Sequence, residues 1–365
     1  MRILYVIDSL ITGGAEKLVV ETVPKLIEIG FKVDIALLDG KPYPLLKELE
    51  QLDICHIYKL SFGSVYNPIL IYKLTKIIKH YSVVHVHLFP AQYWVVIAGW
   101  LNTQNTRLIF TEHSTSNRRL KNYFLRILDR LFYKSYEEIL CITEAVKDEL
   151  LKRLQVGVDK LIVLSNGVNI DKIEMAIPVN RVKVFGYSNE DKILIMIGAF
   201  RREKDQDTVV RSMNYLPKEF KLVFVGDGVR RKEVETLAED LNLCKRVKFL
   251  GNRSDVGSLL KAADISILSS HWEGFGLAAV ESMAAGIPVI GSDVAGLANV
   301  IGDAGQLFIP ADEKDLVKKI RYITKSTKVY NSFTTAGRIR AQHFSIDNMV
   351  DKLSYLYKKY NLSNE

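Results

Sequence analysis

The segment Ser270-His271-Trp272-Glu273-Gly274-Phe275-Gly276-Leu277-Ala278-Ala279-Val280-Glu281-Ser282-Met283-Ala284-Ala285-Gly286-Ile287-Pro288-Val289 passes from a polar loop into a run of small residues with helical character. Gly286 is a helix stop with Pro288 just beyond it, and residues 287–290 then read as a short buried strand. Glu273 stands at the mouth of the expected helix, and Glu281 lies inside it, eight positions on. The amides of Gly274, Phe275, Gly276 and Leu277 fall in or beside the first turn. There they lack intrahelical acceptors, and the helix dipole adds roughly half a positive charge. A diphosphate suits such a helix end. Carboxylates do not help to hold phosphate, so Glu273 and Glu281 point instead to sugar hydroxyls, which both donate and accept. Together these features outline a nucleotide-sugar site. Strand–loop–helix units with a glycine at the helix start are common, however, and Glu281 as a solvated helix residue fits the same spacing.

Outward from this segment, apolar runs at 193–197, 222–225, 247–250, 265–268, 289–290 and 307–309 alternate with helical stretches. The same alternation fills the first half, where 2–7, 31–38, 53–57, 83–86, 108–110, 139–142 and 161–164 are expected strands. Gly13-Gly14 follows the first of these. Leu18, Val19, Val23, Leu26 and Ile27 then give a helix starting near Ala15 its apolar face. Such alternation predicts mostly parallel, doubly wound sheets. It breaks in the polar stretch 170–189, which holds Pro178 and Gly186. The chain is therefore expected to be α/β, with two doubly wound, Rossmann-like domains, residues 1–175 and 185–345, facing an interdomain cleft. The last helix, 346–365, carries Met349, Leu353, Leu356 and Tyr357 on one face and is expected to close the first domain. Ligands of such sheets bind at the carboxyl ends of the strands, where both Gly13-Gly14 and the 273–277 loop fall.

A length of 365 residues suits two domains, and 48% hydrophobic with 25% charged residues is the composition of a globular chain. Residues 1–200 hold 25 Lys and Arg against 21 Asp and Glu, or +4, and the remainder holds the other +4 of the net +8. This even spread gives no case for nucleic acid as a partner. Cys55, Cys141 and Cys244 show neither metal-ligand nor redox spacing and suit a reducing compartment. No apolar run reaches the ~18–20 residues of a membrane span, and residues 1–7 read as a strand rather than a signal peptide. A cytoplasmic protein is expected, soluble or lying on the inner face of a membrane.

Five motifs follow one another along the chain. They are Gly13-Gly14-Ala15-Glu16, Phe110-Thr111-Glu112-His113, Leu164-Ser165-Asn166-Gly167-Val168, Ile197-Gly198-Ala199-Phe200-Arg201-Arg202-Glu203-Lys204-Asp205-Gln206, and the Glu273/Glu281 pair. In this order, and over nearly its full length, the chain resembles a retaining GT-B glycosyltransferase of glycosyltransferase family 4, of the bacterial capsule, exopolysaccharide or lipopolysaccharide type. The resemblance implies a catalytic group of Glu273, His113 and Lys204. Lys204 would neutralise the donor diphosphate, Glu273 would bind hydroxyls of the transferred sugar, and His113 would contact that sugar from the opposite domain. Donor binding would fall to the amides of Gly14, Gly274, Phe275, Gly276 and Leu277, to Glu281 on the ribose, and to Arg253 where the family holds the base. Ala199 stands where the family has an arginine, so Arg201 or Arg202 is expected to supply that charge from a shifted position.

The implied reaction keeps the anomeric configuration of the donor, with no metal and no other cofactor. Its implied partners are a nucleotide sugar, with a UDP-sugar expected and GDP-mannose open, and a saccharide or lipid-linked acceptor. Two other readings share the architecture. A UDP-N-acetylglucosamine 2-epimerase-like isomerase would convert the donor with no acceptor present. A non-catalytic sugar-nucleotide-binding subunit is favoured by Ala199 and disfavoured by Lys204, Glu273 and Glu281.

Other residues carry less. His85 and His87 share a strand face, and with no carboxylate or cysteine beside them they read as cleft-lining residues rather than metal ligands. Asp227, between Gly226 and Gly228, fits a donor contact or a turn equally. Trp272 reads as packing beneath its loop. Residues 116–134 hold Arg118, Arg119, Lys121, Arg126, Arg130 and Lys134 against Asp129 alone, with Tyr123, Phe124, Ile127, Leu128 and Leu131 as an apolar stripe. That pattern fits peripheral contact with an anionic membrane through 118–134, or a domain helix whose stripe faces the core.

Overall fold

Runs of Ile, Val, Leu and Phe form the strands, because β-branched and aromatic residues suit a pleated sheet covered on both faces. The structure, a computed structural model, describes residues 1–102, 106–114, 123–154 and 156–362. The first strands are β1 (Arg2–Ile7), β2 (Lys32–Leu37), β3 (Ile57–Lys59), β4 (Val83–His87), β5 (Arg107–Glu112), β6 (Glu138–Cys141) and β7 (Leu161–Val163). Between them run α1 (Gly14–Glu28), α2 (Pro44–Leu52), α3 (Ile69–Ile78), α4 (Ala91–Trp100), α5 (Tyr123–Lys134) and α6 (Glu144–Leu154). The strands lie parallel in the order β3-β2-β1-β4-β5-β6-β7, with Tyr5 level with Ile35 on one side and His85 on the other. One strand departs from expectation. The run at 53–57 becomes strand only at Ile57, because Asp53 takes a left-handed conformation (φ 47°) that ends α2.

The basic helix α5 also departs from one of its two readings. It buries Asp129, Phe132 and Tyr133 and turns Ile127, Leu128 and Leu131 outward, at 47%, 44% and 52% exposure. For these three residues the core-facing reading is corrected. The reason is that aromatic stacking holds the opposite face: Phe132 lies 3.9 Å from the Tyr93 ring and 5.4 Å from Trp100. Arg118, Arg119 and Lys121, with the side chains of Tyr123 and Phe124, lie outside the described residues. No described helix is long and apolar enough to cross a membrane.

The second part of the chain starts with α7 (Ile170–Glu174) and α8 (Arg181–Phe185), capped by the side chains of Asn169 and Asn180. The polar stretch in which the domains were expected to divide belongs to this part, so the chain divides at Gly167/Val168, earlier than the expected 175, and again at Ser345/Ile346. There follow β8 (Lys192–Ile197), α9 (Gln206–Ser212), β9 (Phe220–Val225), α10 (Arg231–Asp240), β10 (Val247–Phe249), α11 (Val256–Lys261), β11 (Ile265–Leu268), α12 (Leu277–Ala285), β12 (Val289–Ser292), α13 (Ala295–Ile301), β13 (Gln306–Phe308), α14 (Glu313–Ile323) and α15 (Thr327–Gln342). These strands are again parallel, in the order β10-β9-β8-β11-β12-β13.

The chain then returns to the first unit as α16 (Ile346–Leu362). Met349, Leu353, Leu356, Tyr357 and Tyr360 of this helix are buried in the same core as α1 and β1. At the crossing Gly167 has no room for a side chain, since a Cβ there would lie 2.6 Å from Ile346 Cα. A separate core, built on Leu194, Phe224, Ile267 and Ile290 among others, fills the second unit.

Candidate functional site

In the second sheet the strand order reverses between β8 and β11: β9 flanks β8 on one side and β11 pairs with it on the other. Connections leave two such strands in opposite directions, which opens a crevice at their carboxyl ends. The loop after β8 carries Gly198 to Asp205, and the loop after β11 carries Ser269 to Gly276. Ser269 Oγ, 2.8 Å from the carbonyl oxygens of both Lys204 and Asp205, ties the loops together, as does the His271 amide donating to the Glu203 carbonyl at 2.8 Å. Lys204 Nζ donates to Glu273 Oε2, forming an ion pair, and Glu273 Oε2 also accepts from Ser270 Oγ at 3.2 Å. The two side chains keep 26% and 16% exposure, so the pair is held by a charge-assisted bond yet open to a ligand.

Gly276 (φ 90°) leads into α12, whose first residue is Leu277, so Gly274, Phe275 and Gly276 precede the first turn. Phe275 is buried edge-on against Phe344, with ring centroids 5.4 Å apart. Glu281 is 5% exposed. It is not on a solvated face, and that alternative is corrected: α12 is packed on several sides, as its small residues allow. Close backbone approaches fix the surrounding loops. A Cβ on Gly296 would lie 2.1 Å from the Glu273 carbonyl oxygen, which presses α13 onto that loop. A Cβ on Gly226 (φ 133°) would lie 2.2 Å from the Gly198 carbonyl oxygen. Between Gly226 and Gly228, Asp227 accepts the Gly228 amide through Oδ1 at 2.7 Å and Arg231 Nη1 through Oδ2 at 3.3 Å.

The remaining residues of the expected donor site stand apart from this cluster. Ala199 contributes a carbonyl that accepts from Gln206 Nε2 at 3.0 Å. Arg201 is exposed, 3.9 Å from Glu203, and Arg202 is exposed beside a cavity lined by Asp205, Asp207, Arg230, Glu233 and His271. Among the described residues neither arginine bonds to Lys204 or Glu273. Arg253 directs two nitrogens onto Asp255, at 2.8 and 2.6 Å. Trp272 is not beneath its loop: it is 46% exposed and lies along the His271 ring.

In the first sheet the order reverses between β1 and β4, where the Ala91 amide donates to Asp8 Oδ1 at 3.0 Å. Gly14 is the first residue of α1. Glu16 folds back over this helix start, so closely that a Cβ on Gly13 would lie 2.2 Å from its Oε2. The Gly14 amide thus sits at a helix end that carries its own acid. His85 and His87 are buried, at 1% and 3% exposure, which corrects their reading as cleft-lining residues. The reason is the covering by α16. His85 Nδ1 bonds Tyr357 Oη at 2.6 Å and Nε2 bonds Thr111 Oγ1 at 2.7 Å, so both ring nitrogens are taken. His87 Nδ1 bonds His113 Nε2 at 3.0 Å. Burial pushes His85 down to about 3 and His113 down to about 4, and burial with the two neighbouring rings holds His87 well below the ordinary range. All three are neutral at pH 7. Sequence reasoning missed Ser269, Ser270 and the His87–His113 pair; the signal present was a pair of serines closing an apolar strand.

Residues 12–172 match Glycosyltransferase Family 4, and residues 181–340 match Glycosyl transferases group 1. The chain is a GT-B glycosyltransferase. Over 304 residues this glycosyltransferase is 28% identical to UDP-Gal:alpha-D-GlcNAc-diphosphoundecaprenol alpha-1,3-galactosyltransferase from Escherichia coli, spanning 79% of this chain and 78% of that one. It is 24% identical to N-acetylgalactosamine-N,N'-diacetylbacillosaminyl-diphospho-undecaprenol 4-alpha-N-acetylgalactosaminyltransferase from Campylobacter jejuni, over 96% of this chain and 98% of that one. The GT-B fold is shared with HepE from Anabaena, solved with UDP and glucose, at a TM-score of 0.86 and 19% identity over 98% of this chain and 100% of that one.

Proposed function

We propose that this glycosyltransferase is a retaining enzyme that moves a sugar from a UDP-sugar to a saccharide or lipid-linked acceptor in surface-polysaccharide synthesis. The observation that carries this reading is the Lys204–Glu273–Ser270 cluster at the β8/β11 crevice, one loop before the start of α12. The names of similar proteins support the substrate classes. That of the Escherichia coli relative gives UDP-Gal and a diphosphoundecaprenol-linked sugar, and that of the Campylobacter jejuni relative also gives a diphospho-undecaprenol acceptor.

In the free protein the Lys204 charge is held by Glu273. A donor diphosphate competes for that cation and for the amides of residues 274–277, which releases the Glu273 carboxylate toward the hydroxyls of the transferred sugar. Glu281 accepts from the ribose. As the bond between the anomeric carbon and the phosphate oxygen breaks, negative charge grows on the leaving diphosphate, where Lys204 and the amides stabilise it. The acceptor oxygen bonds the anomeric carbon on the same face, through an oxocarbenium-like transition state, and its proton passes to the departing phosphate oxygen. The protein contributes position and charge. On this reading Lys204 and the helix amides supply the positive charge that a metal ion supplies elsewhere.

A lipid-linked acceptor also gives the exposed stripe of α5 a role. Ile127, Leu128 and Leu131, flanked in sequence by Arg126, Arg130 and Lys134, form an apolar face with a basic border. Such a face suits an anionic bilayer surface. Leu128→Glu with Leu131→Glu is expected to abolish sedimentation with anionic vesicles.

The test of the function is a panel of nucleotide sugars. UDP-sugars are expected to raise the melting temperature, and acceptor-dependent release of UDP should yield a product with the anomeric configuration of the donor, read by NMR. Epimer formation without an acceptor, or an inverted product, overturns the proposal.

A further inference from the structure

His113 follows β5 at the carboxyl edge of the first sheet, and His87 ends β4 beside it; Val86 and His87 are level with Phe110 and Thr111. The His87 ring is locked in place. It stacks on Tyr5 with ring centroids 5.3 Å apart and 20° between planes, and it lies 4.5 Å from the His85 ring. His85 is in turn fixed by Tyr357 and Thr111. His87 Nδ1 meets His113 Nε2 at 3.0 Å, and His87 Nε2 is buried with no hydrogen-bond partner among the described residues.

With both rings neutral, a single proton lies between Nδ1 and Nε2, and two arrangements are possible. If His113 donates, His87 must carry its own proton on the buried Nε2, where it finds no acceptor among the described residues. If His87 donates, its Nε2 is a bare acceptor. Buried N–H groups without an acceptor are rarer in folded proteins than bare acceptors, so the second arrangement is favoured. His113 Nε2 then accepts, and the remaining proton of that ring sits on Nδ1. The ring therefore offers a donor and nothing else.

We propose that His87 is a positioning residue that sets the tautomer of His113, so that His113 presents an Nδ1–H donor to a hydroxyl oxygen of the bound sugar. This inference rests on the proposed transferase function for its ligand, but not for the tautomer. A sugar oxygen that accepts from Nδ1–H is recognised, and a group that can only donate is refused.

The first experiment is NMR of the full chain labelled with 15N-histidine at pH 7, which reads which His113 nitrogen is protonated. Protonated Nδ1 and bare Nε2 are expected with and without UDP, and a protonated Nε2 overturns the proposal. The second is kinetic. His87→Leu is expected to lower kcat about tenfold, the worth of one hydrogen bond, with the Kd for UDP changed less than twofold. His87→Asn places an amide nitrogen where Nδ1 stood and is expected to restore most of kcat. Unchanged kcat in His87→Leu, or an equal loss in a folded His87→Asn, overturns the proposal. Should His87→Leu fail to fold, His87→Asn decides alone, with near-native kcat in support and its loss against. Absence of UDP binding by the wild-type protein would sink the function and leave the tautomer result standing.

Discussion

Lys204 and Glu273 lie 69 positions apart, and each is the partner that keeps the other in place. Lys204→Met is expected to cut kcat by about 100- to 1,000-fold, the ~2.7–4 kcal/mol typical of one lost transition-state donor, as measured in steady-state turnover with a UDP-sugar. The two glutamates should separate by ligand. Glu273→Ala is expected to lower turnover with the sugar donor while calorimetry finds UDP affinity nearly unchanged. Glu281→Ala should weaken UDP itself by about 10- to 100-fold, the worth of ~1.5–3 kcal/mol for bonds to a charged group. Lys204, Glu273 and Glu281 were legible in the sequence because lysine and glutamates stand at motif spacing, whereas Ser270 was not. Nor was the pairing of Lys204 with Glu273, since it depends on β8 and β11 becoming neighbours. His87 was misread for the same reason: its partner lies 26 positions away, just past the end of the next strand.

At the scale of elements, glycines without room for a side chain determine how the loops meet. Gly296→Ala would put a Cβ 2.1 Å from the Glu273 carbonyl oxygen, and backbone cannot yield as a flexible side-chain tip would. The expected result is a loss of about 1–3 kcal/mol in stability, read as a lower urea midpoint, together with a fall in kcat as the Glu273 loop moves. Unchanged kcat would mean that the loop position is not critical. Parallel strands and their alternation with helices were legible, because continuous apolar runs mark strands covered on both faces. Boundaries set by single backbone conformations were not, as Asp53 shows at the end of α2. Nor was the outward face of α5, where the stripe and the aromatic side are both apolar and only stacking on Tyr93 and Trp100 decides between them.

For the whole molecule, the buried histidines of the first unit make its stability depend on acid. His85 titrates near 3 and His113 near 4 when folded, against about 6.5 when unfolded. Below about 6.5 the unfolded chain therefore binds more protons, and stability that is complete above that pH is lost as it falls toward 4. By pH 5 the fully buried His85 alone accounts for about 2 kcal/mol. Urea unfolding of a Trp272→Phe variant, whose remaining tryptophans Trp94 and Trp100 report on the first unit, should show a lower midpoint at pH 5 than at pH 7. A pH-independent midpoint would contradict this. The return of α16 has a consequence for synthesis on the ribosome. The 178 residues from Val168 to Ser345 are translated before the helix that seals Tyr5 and His85. At ~5–20 residues per second, that leaves the nascent first sheet uncovered for roughly 10–40 s. The second unit is contiguous and can mature meanwhile, so the half of the enzyme that emerges first is finished last and depends longest on chaperones.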